Sequence, residues 1–195
     1  NGQHPTSSPI LSSNGKLYGL ALSAINGSVG SGDGAAVLYE LDPVTHAYTV
    51  LQNSAFNFFT DGFTSEAYGM LVEGAPGTLY FTTGKGIYEF VISTNTLTLV
   101  HTNANFAIGG LGLLMASDGL LYGMVTDHSI GGGVTQIGYL FSFDPSTSTH
   151  TVLQSFDGGA NGENGIGSLI QASNGLLYGT TELGGTTDDG IIFSY

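Results

Sequence analysis

The side chains able to bind a metal or move a proton are five histidines, His4, His46, His101, His128 and His150, and fifteen Asp and Glu residues. Their spacing assembles no constellation for either task. No HExxH and no i, i+4 histidine pair occurs, and His101 and His150 fall in different phases of the repeat described below, which predicts exposed strand histidines instead of a ligand set. Asp157, Asn161 and Glu163 carry oxygen ligands at roughly the spacing of a Ca²⁺ loop but depart from the EF-hand pattern. They stand as a candidate Ca²⁺ site, the one metal or cofactor the chain suggests. Asp33 and the Asp188-Asp189 pair read as openers of tight turns. Acid/base pairing among Glu66, Glu73, Glu89, Asp127 and Asp144 is spatial and therefore invisible here. No Gly-x-Ser-x-Gly elbow, phosphate loop or dinucleotide fingerprint occurs, since Gly109-Gly110-Leu111-Gly112 leads into a strand. Lys16 and Lys85 are the only Lys or Arg residues, so an oxyanion would need backbone or metal support. The expectation is a protein that is not an enzyme.

Composition points the same way and bounds the partners. Glycine makes up 32 of 195 residues and charged residues only 9%, which disfavours coiled coils and charge-driven disorder and leaves Gly-punctuated β structure. A net charge of −13 opposes phosphate backbones and anionic lipid, so nucleic acid is excluded as a partner, and no apolar run is long enough for membrane insertion as a helix. There is no cysteine for disulfides, thiolate metal sites or thiol chemistry. The chain starts at Asn1 and its polar residues are chiefly Ser, Thr, Asn and Gly, which predicts an acidic, secreted protein in the extracellular space or at the cell surface. Asn26-Gly27-Ser28 is a single glycosylation sequon at Asn26.

The elements that would position any site are set by an internal repeat. Leu17-Tyr18-Gly19, Leu79-Tyr80-Phe81, Leu121-Tyr122-Gly123 and Leu177-Tyr178-Gly179 recur at spacings of 62, 42 and 56 residues. Each follows a small turn (Asn14-Gly15, Pro76-Gly77, Asp118-Gly119, Asn174-Gly175) and, before it, a short apolar run, which is the pattern of a β-hairpin. A third run follows in every unit, such as Ala36–Leu41 or Gly138–Phe143, and a fourth in three of them, ending at Leu51, Val100 and Leu153. Four antiparallel meanders of about 50 residues predict an all-β, four-bladed β-propeller in one domain, with an N-terminal arm 1–9 and blades near 10–67, 68–108, 109–165 and 166–195. A sandwich or solenoid is the rival all-β arrangement, and the unequal spacings count against it. The four repeat tyrosines read as blade packing, with sugar stacking as their alternative use.

The run from Gly175 to Phe193, with Gly-Leu-Leu-Tyr-Gly-Thr-Thr, Gly-Gly and Gly-Ile-Ile-Phe, resembles the GloVer-type tandem repeat of bacterial secreted or surface (choice-of-anchor) proteins. The third unit, Gly119 to Phe143, is similar, and the second departs most, with Phe81 in place of the glycine. The resemblance implies a β-propeller-like fold and a secreted location. It implies no catalytic residue, because the family is defined by its repeat.

The fourth unit stops after its third strand, at fifteen strands of an expected sixteen. Its last run, Gly190, Ile191, Ile192, Phe193, Ser194 and Tyr195, is thereby an open edge able to accept a strand. The one spare segment is the arm Asn1, Gly2, Gln3, His4, Pro5, Thr6, Ser7, Ser8 and Pro9, a candidate donor to a neighbouring copy, although Pro5 and Pro9 each lack a donor N–H. A blunted monomer and a truncated longer chain are the alternatives. Phe56, Phe58, Phe59 and Phe63 lie in the insert between units one and two, and either fold back on the propeller or meet a partner subunit. The expected function is structural or adhesive: a subunit that self-associates into a filament or surface assembly by donor strand complementation. A monomeric glycan- or Ca²⁺-binding module is the alternative, and a polysaccharide-active enzyme the third.

Overall fold

The computed structural model describes residues 4–5, 8–23, 35–57, 70–83, 86–102, 112–125 and 138–195, and within them the side chains of all but 4–5, 22–23, 35–36 and 53–57. Four antiparallel sheets are arranged as the blades of a four-blade β-propeller. Blade one holds β1 (His4–Pro5), β2 (Ile10–Leu11), β3 (Leu17–Ser23), β4 (Ala35–Leu41) and β5 (Tyr48–Asn57). Blade two holds β6 (Val72–Glu73), β7 (Thr78–Thr83), β8 (Gly86–Val91) and β9 (Thr96–Thr102). Blade three holds β10 (Leu113–Met115), β11 (Leu121–Val125), β12 (Gly138–Asp144) and β13 (Thr149–Phe156). Blade four holds β14 (Glu163–Gln171), β15 (Leu177–Leu183) and β16 (Ile192–Ser194). Helical structure among the described residues is confined to two three-residue 3-10 turns.

The repeat fixes the register. Leu17 pairs with Leu41, Leu79 with Phe90 and Leu121 with Phe143. Because side chains alternate across a strand, every blade has one face carrying the repeat leucine and another carrying the repeat tyrosine. The Tyr face of each blade packs on the Leu face of the next. Tyr18, Leu20 and Leu38 of blade one are buried with Leu79, Phe81 and Phe90 of blade two. Tyr80 and Ile87 of blade two meet Leu121, Phe141 and Phe143 of blade three. Tyr122, Met124 and Leu140 of blade three meet Leu169, Leu177 and Phe193 of blade four. No comparable cluster joins blade four to blade one among the described residues. A strand between two junctions is buried on both faces, as all of β11 is. Each such large apolar side chain contributes about 1.5–3 kcal/mol.

The glycine of the Leu-Tyr-Gly repeat makes room for an aromatic ring on the neighbouring strand. A Cβ on Gly123 or Gly179 would lie 2.5 Å from the ring of Phe141 or Phe193, and one on Gly19 would lie 2.2 Å from the Tyr39 hydroxyl. In blade two Phe81 replaces the glycine, and Tyr88 stacks beside it instead, with centroids 5.4 Å apart and planes 9° from parallel. The irregular second unit is thus a compensated substitution.

The arm contradicts its expected role. His4 and Pro5 pair with Leu22 and Ala21 of blade one, so at its described residues the donor arm is already engaged within its own chain. The equivalent pairing in blade four is Gly165 with Thr181, through the first half of β14. In the sequence Gln3-His4-Pro5 aligns with Glu163-Asn164-Gly165, and the described residues His4 and Pro5 pair with β3 on the same side as β2 does. Correspondingly, β14 starts at Glu163, so residues 163–165 belong to blade four and not to blade three.

Candidate functional site

Blade four differs from the others at its outer edge, where β16 has no fourth strand beside it among the described residues. The pairing decides which peptide groups face outward. Tyr195 exchanges both backbone bonds with Leu177 at 2.9 Å, and Ser194 and Ile192 stand opposite Tyr178 and Thr180. In an antiparallel ladder hydrogen-bonded and non-bonded pairs alternate, so the N–H and C=O groups of Ile192 and Ser194 point away from β15. The expected acceptor run 190–195 is thereby resolved into two outward-facing residues. Gly190 is used internally, its N–H donating to the Gly184 carbonyl at 3.0 Å, and Ile191 binds Thr181, its N–H donating to Oγ1 at 3.1 Å. Phe193 is buried against Phe156 at a centroid distance of 5.0 Å.

The face beside that edge is also uncovered. Ile192 is 80% exposed, Ile170 61% and Ile166 38%, and all three share the Tyr face with Thr180. By contrast Leu20, Thr82 and Met124, which hold the place of Thr180 in the other blades, are buried.

Elsewhere the repeat polar groups serve the fold. The Tyr18 hydroxyl donates to Glu40 at 2.7 Å and accepts from Asn14 at 2.8 Å, while Tyr80 donates to Glu89 at 2.6 Å and Tyr122 to Asp118 at 2.8 Å. Burial, reinforced by these carboxylates, pushes Tyr18 and Tyr122 each up to about 12, and Tyr80 upward as well. They are anchored packing residues. Glu73 brackets the adjoining blade: it accepts from Gly77 N–H at 2.8 Å, Ser12 Oγ at 2.8 Å and Ser13 N–H at 2.7 Å. Burial works to raise its pKa, but these donors outweigh it and hold the carboxyl below the ordinary range. Gln171 repeats the bracket between blades three and four, accepting from Ser117 N–H at 2.9 Å. Asp144, and Asp188 through its 2.8 Å bond from Gly184 N–H, close turns.

Two candidate groupings resolve differently. At the Ca²⁺ loop, Asn161 turns its amide NH₂ to Asp157 at 2.9 Å, and no group of three or more His, Cys, Asp or Glu is gathered among the described residues. The histidines, expected on exposed strand positions, do meet: His101 on β9 and His150 on β13 stack with centroids 4.4 Å apart and planes 3° from parallel. Their different phases are the reason. His101 stands opposite Ile87 on a Tyr face and His150 opposite Phe143 on a Leu face, and these faces pack together. Burial, then the neighbouring His101, pushes His150 down to about 4, and burial lowers His101. The pairing rule between faces is the signal that sequence reading lacked. Asn26, Asp33, Phe58, Phe59, Phe63, Lys85 and His128 lie outside the described residues, as do Asn1, Gly2, Gln3, Thr6, Ser7 and the Phe56 side chain.

The sheets and their stacking define a β-propeller. A family model for the Gloeobacter/Verrucomicrobia repeat matches residues 4–195, and the chain belongs to that family. No curated protein sequence matches it. Among solved structures it is similar to an oligogalacturonate lyase in complex with manganese, at 15% identity and a TM-score of 0.57 over 97% of this chain and 50% of that one. It is also similar to a puromycin-hydrolyzing peptidase of Mycobacterium tuberculosis (14%, TM-score 0.61, 100% and 27%) and to a fungal alcohol oxidase in complex with copper (14%, 0.57, 98% and 41%). The chain therefore spans half or less of the length of these structures. At such identities they share the fold alone. They nevertheless correct one expectation: these propellers are enzymes, two of them with a metal bound, so the fold carries catalysis and the reading of the chain as non-enzymatic does not stand.

Proposed function

We propose that the chain is a structural assembly module, working outside the cell, whose last blade accepts a strand from a neighbouring polypeptide along β16. The observation that supports this reading is that, among the described residues, no strand lies beside Ile192 and Ser194, whereas the same edge is paired in the other three blades. Unpaired peptide groups next to an 80% exposed isoleucine favour β-augmentation, with backbone bonds supplying affinity. The scarcity of Lys and Arg and the Ser, Thr and Asn surface support an extracellular setting. With His4 and Pro5 occupied in blade one, the donor is another segment of the neighbour or of a distinct partner.

Ser194→Pro tests the reading, because it deletes an outward N–H and leaves the internal bonds of Tyr195 in place. Negative-stain microscopy of the parent chain should show beaded polymers, and the variant should be monodisperse with an unchanged circular dichroism spectrum. A parent chain that stays monodisperse, or polymers indifferent to Ser194→Pro, would overturn it.

A further inference from the structure

Among the described residues the repeat tyrosine has a carboxylate partner in three blades and lacks one in the fourth. In blades one and two the partner comes from the third strand, Glu40 opposite Tyr18 and Glu89 opposite Tyr80, at 2.7 and 2.6 Å. In blade three that place holds Ser142, and the carboxylate comes from the hairpin turn instead. Asp118 accepts there from the Tyr122 hydroxyl at 2.8 Å and from Leu120 N–H at 3.0 Å. Blade four repeats the serine, as Ser194 opposite Tyr178, but its turn carries Asn174. The Asn174 amide accepts from Leu176 N–H at 3.1 Å and donates to the Tyr178 hydroxyl at 3.1 Å. That hydroxyl therefore has a donor where Tyr122 has an acceptor.

We propose that Asn174 is a self-modifying site: the Gly175 nitrogen attacks its side chain, ammonia leaves, and the resulting aspartate gives Tyr178 the acceptor that the tyrosine of every other blade already has. The turn is built for the reaction. Gly175 has no side chain to shield its nitrogen and stands in open space, and Asn174 is exposed. The Asx turn closed by Leu176 N–H folds the amide carbonyl back over the Gly175 peptide and polarises it. The Gly175 nitrogen bonds to Cγ of Asn174 while its proton passes through solvent to the departing Nδ2. The Cγ–Nδ2 bond breaks, ammonia leaves and a cyclic imide remains. Water then adds at Cγ, the bond from Cγ to the Gly175 nitrogen breaks, and the ordinary peptide is restored beside a carboxylate. The one co-reactant is water, and nothing is oxidised or reduced. Blade three shows that the product fits, because Asp118 holds the same turn and reverses the bond to its tyrosine.

Asn14 is the internal control. Ser13-Asn14-Gly15 and Ser173-Asn174-Gly175 are the same tripeptide, both exposed, and in both the glycine N–H donates across the turn at 2.9 Å. Their surroundings differ. The Tyr18 hydroxyl already gives its proton to Glu40, so a carboxylate formed at Asn14 would stand beside another carboxylate and compete for that proton. To test this, the full folded chain is incubated at mildly alkaline pH, digested, and mapped by mass spectrometry that separates asparagine, aspartate and isoaspartate peptides. Relative to their ratio in denaturant, position 174 should convert at least about 5-fold faster than position 14, a difference equivalent to one hydrogen bond, with aspartate as the main product. Asn174→Asp should raise the melting temperature by about 2–4 °C, Asn14→Asp should give no such rise, and the gain should vanish in a Tyr178→Phe background. Equal rates in the folded chain, no conversion at position 174, or isoaspartate as the main product overturns the proposal, as does a gain that survives Tyr178→Phe. None of these readouts depends on assembly along β16, so the proposed function stands or falls separately.

Discussion

The junction between blades two and three and the outer face of blade four are built from the same repeat and end in opposite states. At the first, Tyr80 and Ile87 are enclosed by Leu121, Phe141 and Phe143, and His101 from one outer strand stacks on His150 from the next. At the second, Tyr178 is half-buried, Thr180 is exposed and Ile192 stands 80% in solvent. The residues at matching positions on the two faces are nearly the same, Tyr80 and Tyr178, Thr82 and Thr180, Ile87 and Ile192, so the difference is one of neighbours: a face is buried where another blade covers it. Among the described residues the core consists of the three clusters between successive blades, which is how stacked architectures distribute their stability.

The sharpest way to break the contrast is to remove volume from both regions. Phe141→Ala, a 1% exposed ring stacked on His150 at 4.8 Å, should cost about 3–5 kcal/mol in denaturant unfolding. Ile192→Ala should cost less than about 0.5 kcal/mol in the dissociated chain, and a similar loss at both sites would show that blade four is already covered. Next in size is the carboxylate bracket. Glu73→Ala leaves Ser12, Ser13 and Gly77 short of an acceptor and should cost about 1–3 kcal/mol, while Gln171→Ala, which removes one bond from Ser117, should cost about 1 kcal/mol.

Acid should separate the junctions by a smaller amount. His150 is held down to about 4, so between about pH 6.5 and 4 the unfolded chain binds more protons than the folded one and stability falls as pH falls. Its partial exposure limits the loss to about 1–2 kcal/mol. His150→Leu, the residue that Leu97 supplies at the same place in blade two, should flatten that limb of the stability–pH curve. Glu73 is depressed as well, so its contribution is complete above the ordinary carboxylate range near ~4.3 and disappears below it. Glu73→Gln should flatten this lower limb alone. The junction of blades three and four has Gln154 and Gln171 at the corresponding positions and should resist acid; equal acid loss of protection there, followed by hydrogen exchange, would contradict the assignment.

Much of the fold was legible beforehand because it depends on short-range chemistry. Asn-Gly and Asp-Gly turns, alternation and the Leu-Tyr-Gly motif place the hairpins, and the run from Gly175 to Phe193 carries the family. The open edge at 190–195 was legible by counting strands, but its two outward residues needed the pairing of Tyr195 with Leu177. The role of the arm was misjudged because His4 and Pro5 show no apolar alternation, although Gln3-His4-Pro5 aligns without a gap to Glu163-Asn164-Gly165. The histidine stack was hidden because its members lie on opposite faces of different blades.

What the sequence determined by itself is the repeat: where strands start, which residues share a face, and which positions want an aromatic over a glycine. Tertiary structure alone decided which faces are covered. Thr82 and Thr180 are the same residue at the same repeat position, yet Thr82 is 3% exposed behind blade three and Thr180 stands in solvent. Burial is a property of the neighbour, and no local pattern encodes whether the neighbour is there.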